Sequence, residues 1–227
     1  MFDRQKPHGI ITIGGTMSTS TERRSELQLF VDMDGVLVDF EGGVLKYMNK
    51  RFQELKDQPD HPDYKIARST AKEIGDWDVE IDKWHIARSD MEGSLKRNYR
   101  TRDFMYRLVE NDIEFWANLP WIENGRQLWD HVKDLDPHIL SAPMAEGSIT
   151  GKRIWVEKNL GLSGEPVHIS DNKGPFGVYK DKQGLLIDDR DKYINQFKSG
   201  GGETIKHAPS TLQNTIDELE KFGFVKE

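Results

Sequence analysis

The sequence predicts an α/β protein with a mostly parallel sheet and a small helical insert after the first strand. The apolar run Leu27–Val31 indicates a buried strand. Over residues 120–227, short apolar runs alternate with amphipathic segments, the order expected of parallel strands joined by helices. Residues 41–119 lie between these parts and contain charged segments with scattered aromatic residues, without a clear strand. We therefore expect an α/β core of residues 25–40 and 120–227, and a helical cap of residues 41–119.

The composition limits the function. Apolar residues make up 36% of the 227 residues and aromatic residues 10%, which is enough to build a core. The net charge of −7 argues against a protein that holds duplex nucleic acid on a basic face. The chain has no cysteine, which excludes disulfides and thiol catalysis and is compatible with a cytoplasmic location. No window approaches the roughly 18 apolar residues of a membrane span.

The first 24 residues are expected to be a disordered leader. Small polar residues dominate them, and the apolar patch Ile10–Ile13 is too short for the hydrophobic part of a secretion signal. Nothing in this segment continues the strand and helix patterns of later residues. The fold is therefore expected to begin at residue 25.

The predicted cap begins with a helix over residues 41–53. Its apolar residues fall on one helical face: Val44, Leu45, Met48 and Phe52. Residues 57–63 hold two prolines and three aspartates and are predicted to form a loop. Two to four short helices are expected over residues 64–118.

The core segments alternate between helix and strand. Helices are predicted over residues 125–132, 148–160 and 211–222, the second of them closed by Gly161. Strands are predicted over residues 137–141, 166–170 and 184–189, with 204–207 as a candidate fifth strand. Together with Leu27–Val31, these strands predict a Rossmann-like, mostly parallel sheet.

Two pairs of aspartates follow buried strands. Asp32 and Asp34 come directly after Leu27–Val31, and Asp188 and Asp189 end the run that begins at Gly184. The carboxyl ends of parallel strands lie along one edge of the sheet, where ligands bind in open α/β folds. Four carboxylates cannot stay ionised close together without a cation, and oxygen ligands of this kind suit Mg²⁺. The sequence therefore predicts a magnesium site formed by these four aspartates.

The first acidic pair lies in a motif that resembles one of a known superfamily. Residues 32–37, DMDGVL, resemble the DxDG(V/T)(L/V) motif of the haloacid dehalogenase superfamily of phosphohydrolases. The Asp188–Asp189 pair and Ser141, at the end of a predicted strand, match later motifs of that superfamily. Residues 32–48, DMDGVLVDFEGGVLKYM, are similar to the opening of the 5'(3')-deoxyribonucleotidases. The resemblance covers roughly residues 30–195 and is weakest in the cap.

The resemblance implies a role for each matched residue. Asp32 would be the nucleophile that becomes an aspartyl-phosphate, and Asp34 the general acid and base. Mg²⁺ would be held by the Asp32 carboxylate, the Asp34 backbone carbonyl and Asp189. Phe40 would line the nucleoside pocket, and Trp77 in the cap would stack on the base.

Phosphate binding needs a hydroxyl and a cation. Ser141 matches the motif whose serine or threonine holds the phosphoryl group. Lys173, after the third predicted strand, is the first candidate for the lysine that offsets the phosphate charge, and Lys152, at the start of the helix after Ser141, is the second. Two features depart from the nucleotidase pattern: Ser141–Ala142 replaces a Thr-Ser pair, and the loop between Lys173 and Asp188 is longer.

Residues 147–153, GSITGKR, resemble a phosphate-binding loop without meeting its requirements. Three residues separate the glycines, where the P-loop has four. Arg153 follows Lys152, where that motif needs Ser or Thr, and no strand directly precedes the stretch. We therefore reject a P-loop nucleoside triphosphatase.

The predicted function is a Mg²⁺-dependent phosphomonoesterase that hydrolyses nucleoside 5'-monophosphates, deoxyribonucleotides above all, through an aspartyl-phosphate. Two alternatives stay open: a related phosphatase for another small ester or a polynucleotide end, and a binding module without catalysis. The acidic charge argues against a polynucleotide, and the four intact aspartates argue against lost catalysis. The expected partner is a small nucleotide, with neither duplex nucleic acid nor membrane. A homodimer is one candidate for the oligomeric state.

Overall fold

A six-stranded sheet forms the centre of the fold. The structure, a computed structural model, describes residues 24–89 and 99–225. The predicted leader lies outside the described residues except for Arg24. The strands are β1 (Leu27–Val31), β2 (His138–Ser141), β3 (Val167–Ile169), β4 (Val178–Tyr179), β5 (Lys182–Asp188) and β6 (Glu203–Lys206).

The sheet is mostly parallel. Its order is β3-β2-β1-β5, and β4 and β6 both pair with β5. Only the β4–β5 pair is antiparallel among the described strands. The predicted fold class is therefore confirmed, and the candidate fifth strand over 204–207 is β6.

The central strand sets the position of the site. All five residues of β1 are buried, as expected for a strand covered on both faces. Its last residue, Val31, is paired with Ile139 of β2 and Ile187 of β5. The residues that follow these positions therefore emerge at the same carboxyl edge of the sheet.

Strand β4 is a feature that the sequence does not predict. It turns back into β5 through Lys180 and Asp181, which have positive φ values of 49° and 66°. A two-residue turn of this kind favours Asn and Gly, and Lys-Asp carries no such signal. As a result β5 begins at Lys182, two residues before the predicted strand.

Five helices form the described part of the cap. They are α1 (Phe40–Lys56), α2 (Tyr64–Ile74), α3 (Lys83–Ser89), α4 (Tyr99–Val109) and α5 (Ile113–Ala117). The predicted first helix is present with longer bounds, and its N-cap is Asp39, whose Oδ1 accepts a hydrogen bond of 2.8 Å from Gly42 N. Val44, Met48 and Phe52 are buried as predicted, whereas Leu45 is half-buried.

The cap helices share one buried apolar cluster with part of the sheet, and a second cluster is formed by Phe30, Leu140, Leu186 and Phe197. Phe52 of α1 and Phe104 of α4 belong to the same buried cluster as Val31 of β1. Burial of large apolar side chains is the main stabilising contribution to such a fold. The division into a core domain and a cap domain stays a prediction.

Among the described residues of the predicted core, the α-helices are α6 (Gly125–Val132), α7 (Glu146–Leu160), α8 (Asp191–Ser199) and α9 (Leu212–Lys221). The three helices predicted here are present, and α8 is a further helix. Gly161 ends α7 with a φ of 70°, the left-handed conformation expected of a C-cap glycine. No helix among the described residues is long and apolar enough to cross a membrane.

Two glycines allow α7 to pack closely against the end of the cap. A Cβ at Gly151 would lie 2.4 Å from Trp116 Cβ, and one at Gly147 would lie 2.5 Å from the backbone of Asn111. The stretch GSITGKR is thus part of a helix in which the glycines have a packing role. This agrees with the rejection of a P-loop.

Candidate active site

The two acidic pairs converge at the carboxyl edge of the sheet. Asp32 directly follows β1, and its backbone N–H donates to Ile187 O of β5 at 3.0 Å. Asp188 is the last residue of β5 and is fully buried, and Asp32 is only 3% exposed. One carboxylate oxygen from each of Asp32, Asp188 and Asp189 lies within 4.8 Å of the others. The parallel pairing of β1 and β5 thus brings together side chains more than 150 residues apart in the chain.

Gly35 makes room for the second acidic pair. Its φ is +78°, and a Cβ there would lie 2.4 Å from Asp189 Oδ2. The turn around it is closed by backbone hydrogen bonds from Leu37 N and Val38 N to Met33 O at 2.8 and 2.9 Å. This turn carries the Asp34 side chain on the same loop as Asp32.

Lys173 lies between the two acidic strands. Its ammonium is fully buried, 3.0 Å from Asp32 Oδ1 and 2.6 Å from Asp188 Oδ2. Lys173 lies on the loop after β3, and the Lys173 backbone N–H donates to Gln196 Oε1 of α8. The first candidate lysine is therefore in the cluster, in contact with the proposed nucleophile.

Lys152 is also in the cluster, and it contacts the other aspartate of the first pair. Its Nζ donates to Asp34 Oδ2 at 2.6 Å, to Ser141 Oγ at 3.0 Å and to Ala142 O at 2.6 Å. It extends from α7, whose first turn is held by Ser148: the Ser148 Oγ accepts from Met144 N and Ala145 N. The sequence offered Lys173 and Lys152 as alternatives for one role, and the structure places both at the site.

Burial and neighbouring charges shift the pKa values of the ionisable groups in this cluster. Burial raises the pKa of Asp189 to about 7, and the neighbouring Asp32 and Asp188 charges add to the shift. Burial also raises the pKa of Asp34, although Lys152 opposes it, and burial with the Asp32 charge raises the pKa of Asp188. Burial disfavours the charged form of Lys173, but Asp32 and Asp188 outweigh it and raise its pKa.

The described residues fit a divalent cation. Oδ1 of Asp189 is buried and accepts no hydrogen bond. Oδ1 of Asp32 is also buried, and the Lys173 ammonium lies 3.0 Å from it. Both oxygens of Asp188 are engaged, one by Lys173 and one by Arg190 N at 2.8 Å. A buried carboxylate oxygen without a hydrogen-bond donor costs folding free energy. Carboxylate oxygens are good ligands for a hard cation such as Mg²⁺. Asp32 and Asp189 are thus the better donors, and Asp188 positions Lys173.

The two predicted aromatic residues differ in their surroundings. Phe40, at the start of α1, is half-buried and stacks on Trp116 with ring centroids 5.2 Å apart and planes at 11°. The Lys152 ammonium lies 5.2 Å from the centroid of Trp116, so this aromatic pair borders the site. Trp77 is 7% exposed and packs against Phe52, with centroids 4.8 Å apart, in the core of the cap.

None of the ring contacts of Trp77 in the described residues reaches the acidic cluster. Its predicted contact with a base stays a prediction, and its observed place is structural. The sequence analysis gave no site role to Trp116, which stacks on Phe40, or to Ser148, which holds the first turn of α7. For Ser148 a signal was present, because Ser148 and Lys152 are four residues apart on the helix that follows Ser141 and so share one face.

Several solved structures are distantly similar to this chain, among them the following three. No family model matches the chain, and no curated protein matches it. A hydrolase from Streptococcus pneumoniae is 13% identical with a TM-score of 0.43, covering 84% of this chain and 97% of its own. CbbY from Rhodobacter sphaeroides in complex with phosphate is 13% identical with a TM-score of 0.39, covering 81% of this chain and 86% of its own.

The third is an L-2-haloacid dehalogenase from Xanthobacter autotrophicus with chloropropionic acid covalently bound. It is 11% identical with a TM-score of 0.39, covering 86% of this chain and 82% of its own. Similarities of this degree do not identify the activity of this chain. The activity has to be inferred from its own residues.

Proposed function

We propose that the protein is a Mg²⁺-dependent phosphomonoesterase that hydrolyses nucleoside 5'-monophosphates, preferably deoxyribonucleotides, through an aspartyl-phosphate. One observation carries this proposal: two carboxylates on one turn each contact a separate buried lysine, beside a second acidic pair. A carboxylate nucleophile needs a neighbouring acid and base, and cationic groups for the phosphate charge. The cluster supplies all three in one place.

In the first step an Asp32 oxygen attacks the phosphorus atom. A bond forms between Asp32 and phosphorus while the bond from phosphorus to the ester oxygen breaks. The leaving alkoxide takes its proton from Asp34, whose pKa is raised by burial. The products of this step are a free nucleoside and an aspartyl-phosphate.

In the second step water opens the aspartyl-phosphate. Asp34, now a carboxylate, accepts a proton from the water as its oxygen attacks phosphorus. The bond between phosphorus and Asp32 breaks, which releases inorganic phosphate and restores the Asp32 carboxylate. Asp34 regains the proton that it donated, so the enzyme returns to its starting state.

Charge stabilisation comes from the surrounding groups. Lys173, next to Asp32, offsets the charge on the transferring phosphoryl group, and Ser141 is placed to hold one of its oxygens. When bound at Asp32, Asp189 and the Asp34 backbone carbonyl, Mg²⁺ would neutralise phosphate charge next to the nucleophile. The buried Asp189 Oδ1, which accepts no hydrogen bond, and the convergence of Asp32 and Asp189 oxygens support this assignment.

The nucleoside part of the proposal rests on an aromatic border and on the resemblance of residues 32–48. Phe40, at the start of α1, has a partly exposed side chain and lies six residues after Asp34 in the chain. An aromatic face of this kind binds the planar base of a nucleotide. A sugar phosphate would gain less from such a surface.

A phosphate-release screen tests the proposal. Nucleoside 5'-monophosphates, sugar phosphates and p-nitrophenyl phosphate would be compared in Mg²⁺ and in EDTA, with Asp32→Asn as the inactive control. We expect the fastest release from a nucleoside 5'-monophosphate in Mg²⁺ and background release in EDTA. Faster release from a sugar phosphate would overturn the nucleotide assignment, and no release from any ester would overturn the phosphatase.

A further inference from the structure

We propose that Lys152 is a positioning residue for Asp34 and makes no contact with the phosphate. The inference rests on the proposed function and assigns separate duties to the two buried lysines. Lys173 serves the nucleophile and the phosphoryl group. Lys152 holds the acid and base in place for proton transfer to the leaving oxygen.

The hydrogen-bond capacity of Lys152 carries this inference. A lysine ammonium has three N–H donors and no acceptor. Lys152 has three oxygen acceptors within 3.0 Å: Asp34 Oδ2, Ser141 Oγ and Ala142 O. All of its donors are therefore used inside the protein, and none is left for a substrate oxygen.

Lys173 differs in this respect. Its two oxygen partners in the described residues are Asp32 Oδ1 and Asp188 Oδ2, at 3.0 and 2.6 Å. One N–H therefore remains for a third acceptor, and the centroid of the Tyr193 ring lies 4.6 Å from the ammonium. A phosphate oxygen bound next to Asp32 is in a position to replace that weaker contact.

The surroundings of Lys152 explain why it is fixed. Its side chain is fully buried, and its helix is held against the cap by the close contact of Gly151 with Trp116. The Trp116 ring also lies 5.2 Å from its ammonium. A buried cation with three short bonds fixes the rotamer of Asp34 and of Ser141, and small displacements of a catalytic group have large effects on rate.

The dependence of the rate on the leaving group separates the two lysine roles. A nucleoside leaves as a poor alkoxide and needs a proton, whereas p-nitrophenolate leaves without one. Lys152→Met removes the ammonium and keeps the chain length. It should lower kcat/KM for a nucleoside monophosphate at least ten times more than for p-nitrophenyl phosphate.

Three comparisons complete the experiment. Lys173→Met should lower kcat/KM for both esters by a similar factor, on the order of 10²-fold or more. Lys158→Met, an exposed lysine of the same helix that donates to Asn118 Oδ1, should leave both unchanged. With p-nitrophenyl phosphate, Lys152→Met should show a burst of nitrophenolate followed by slow turnover, because a misplaced Asp34 no longer activates the water.

If Lys152→Met does not fold, Lys152→Arg takes its place. The arginine keeps the charge, but its planar guanidinium cannot place one donor on each of the three acceptors. It should therefore show the same dependence on the leaving group, with a smaller loss of kcat/KM. Equal losses for both esters, in a wild type that hydrolyses both, would overturn the inference and leave the proposed function standing. A folded Lys152→Met with unchanged rates would also overturn it. A wild type that hydrolyses neither ester would overturn both proposals.

Discussion

Asp189 lies so close to Gly35 that residue 35 has no room for a side chain. A Cβ at Gly35 would lie 2.4 Å from Asp189 Oδ2, well inside van der Waals distance. The two residues belong to the loops after β1 and β5, which carry the two acidic pairs. The absence of one side chain therefore determines how closely the pairs approach each other.

Gly35→Ala should disrupt the acidic cluster. The new methyl group would displace Asp189, so activity should fall on the order of 10²-fold, with a weaker response to Mg²⁺. The φ of +78° adds a destabilisation on the order of 1–2 kcal/mol. Steady-state kinetics over a Mg²⁺ titration, together with urea unfolding, measure the two effects.

Gly161→Ala is the matched control for that change. Gly161 has a similar φ of +70°, but a Cβ there would meet nothing within 4 Å. The unfolding free energy of Gly161→Ala should fall by about as much as that of Gly35→Ala, while kcat/KM and the Mg²⁺ response stay at the wild-type values. Equal losses of activity in the two variants would mean that backbone strain, and not the contact with Asp189, causes the defect.

Asp189→Asn should stabilise the metal-free protein at high pH. In the folded protein the Asp189 carboxyl has a pKa of about 7, against an ordinary value of 3.8. Between these values the folded state holds more protons than the unfolded state, so the aspartate lowers stability as pH rises. The variant should match wild type near pH 4 and exceed it by on the order of 1–2 kcal/mol near pH 8, given the partial exposure of the side chain.

Urea unfolding in EDTA at several pH values measures this difference, and Mg²⁺ should reverse it. Added Mg²⁺ near pH 8 should stabilise wild type but not Asp189→Asn, because a ligand that binds only the folded state raises its stability. A difference between the two proteins that is independent of pH, or an equal Mg²⁺ stabilisation of both, would contradict the assignment of Asp189 as a metal ligand.

Asp32→Asn and Asp34→Asn should fail at different steps. Asp32→Asn keeps the shape of the side chain but cannot form an aspartyl-phosphate, so beryllium fluoride, a mimic of that group, should bind wild type and not this variant. Asp34→Asn should still be phosphorylated by an activated ester with a good leaving group, and its hydrolysis should then be slow. Label recovered on residue 34 would show that the two roles are reversed.

His168 should make the protein less stable in acid. Burial and the neighbouring His138 and Arg153 lower the pKa of His168 from 6.5 to about 4. Between these values the unfolded state binds more protons, so stability is present above pH 6.5 and is lost as pH falls toward 4. The loss should be on the order of 1–2 kcal/mol after a discount for partial exposure.

His168→Phe tests that contribution. His168 lies among the rings of Phe30, Phe176 and Tyr179, with centroids 4.7 to 5.9 Å apart, so a phenyl ring suits the site. The variant also loses the contact between His138 Nδ1 and His168 Nε2, so the test compares how stability changes with pH and not its absolute value. Its unfolding free energy should therefore depend less steeply on pH between about 4 and 6.5, and an unchanged slope would contradict the prediction.

Local patterns in the sequence determined the elements and the acidic half of the site. Apolar runs mark strands because a buried strand has few polar residues, and Asp32 and Asp188 follow such runs directly. Parallel strands then bring those ends to one edge by geometry alone. The fold class, the bounds of most core elements to within a few residues, and the convergence of the aspartates were therefore predictable.

Tertiary packing decided the rest, because it depends on contacts between residues that are distant in the chain. No local pattern shows that Lys152 and Lys173 each contact a different aspartate, since those contacts span 118 and 141 positions. Likewise, the family resemblance implied that Trp77 stacks on a base, whereas in the structure its ring packs against Phe52 and Tyr64. The acids were predictable from the ends of strands, whereas the distribution of cations among them follows only from how α7 and the loop after β3 pack against the sheet.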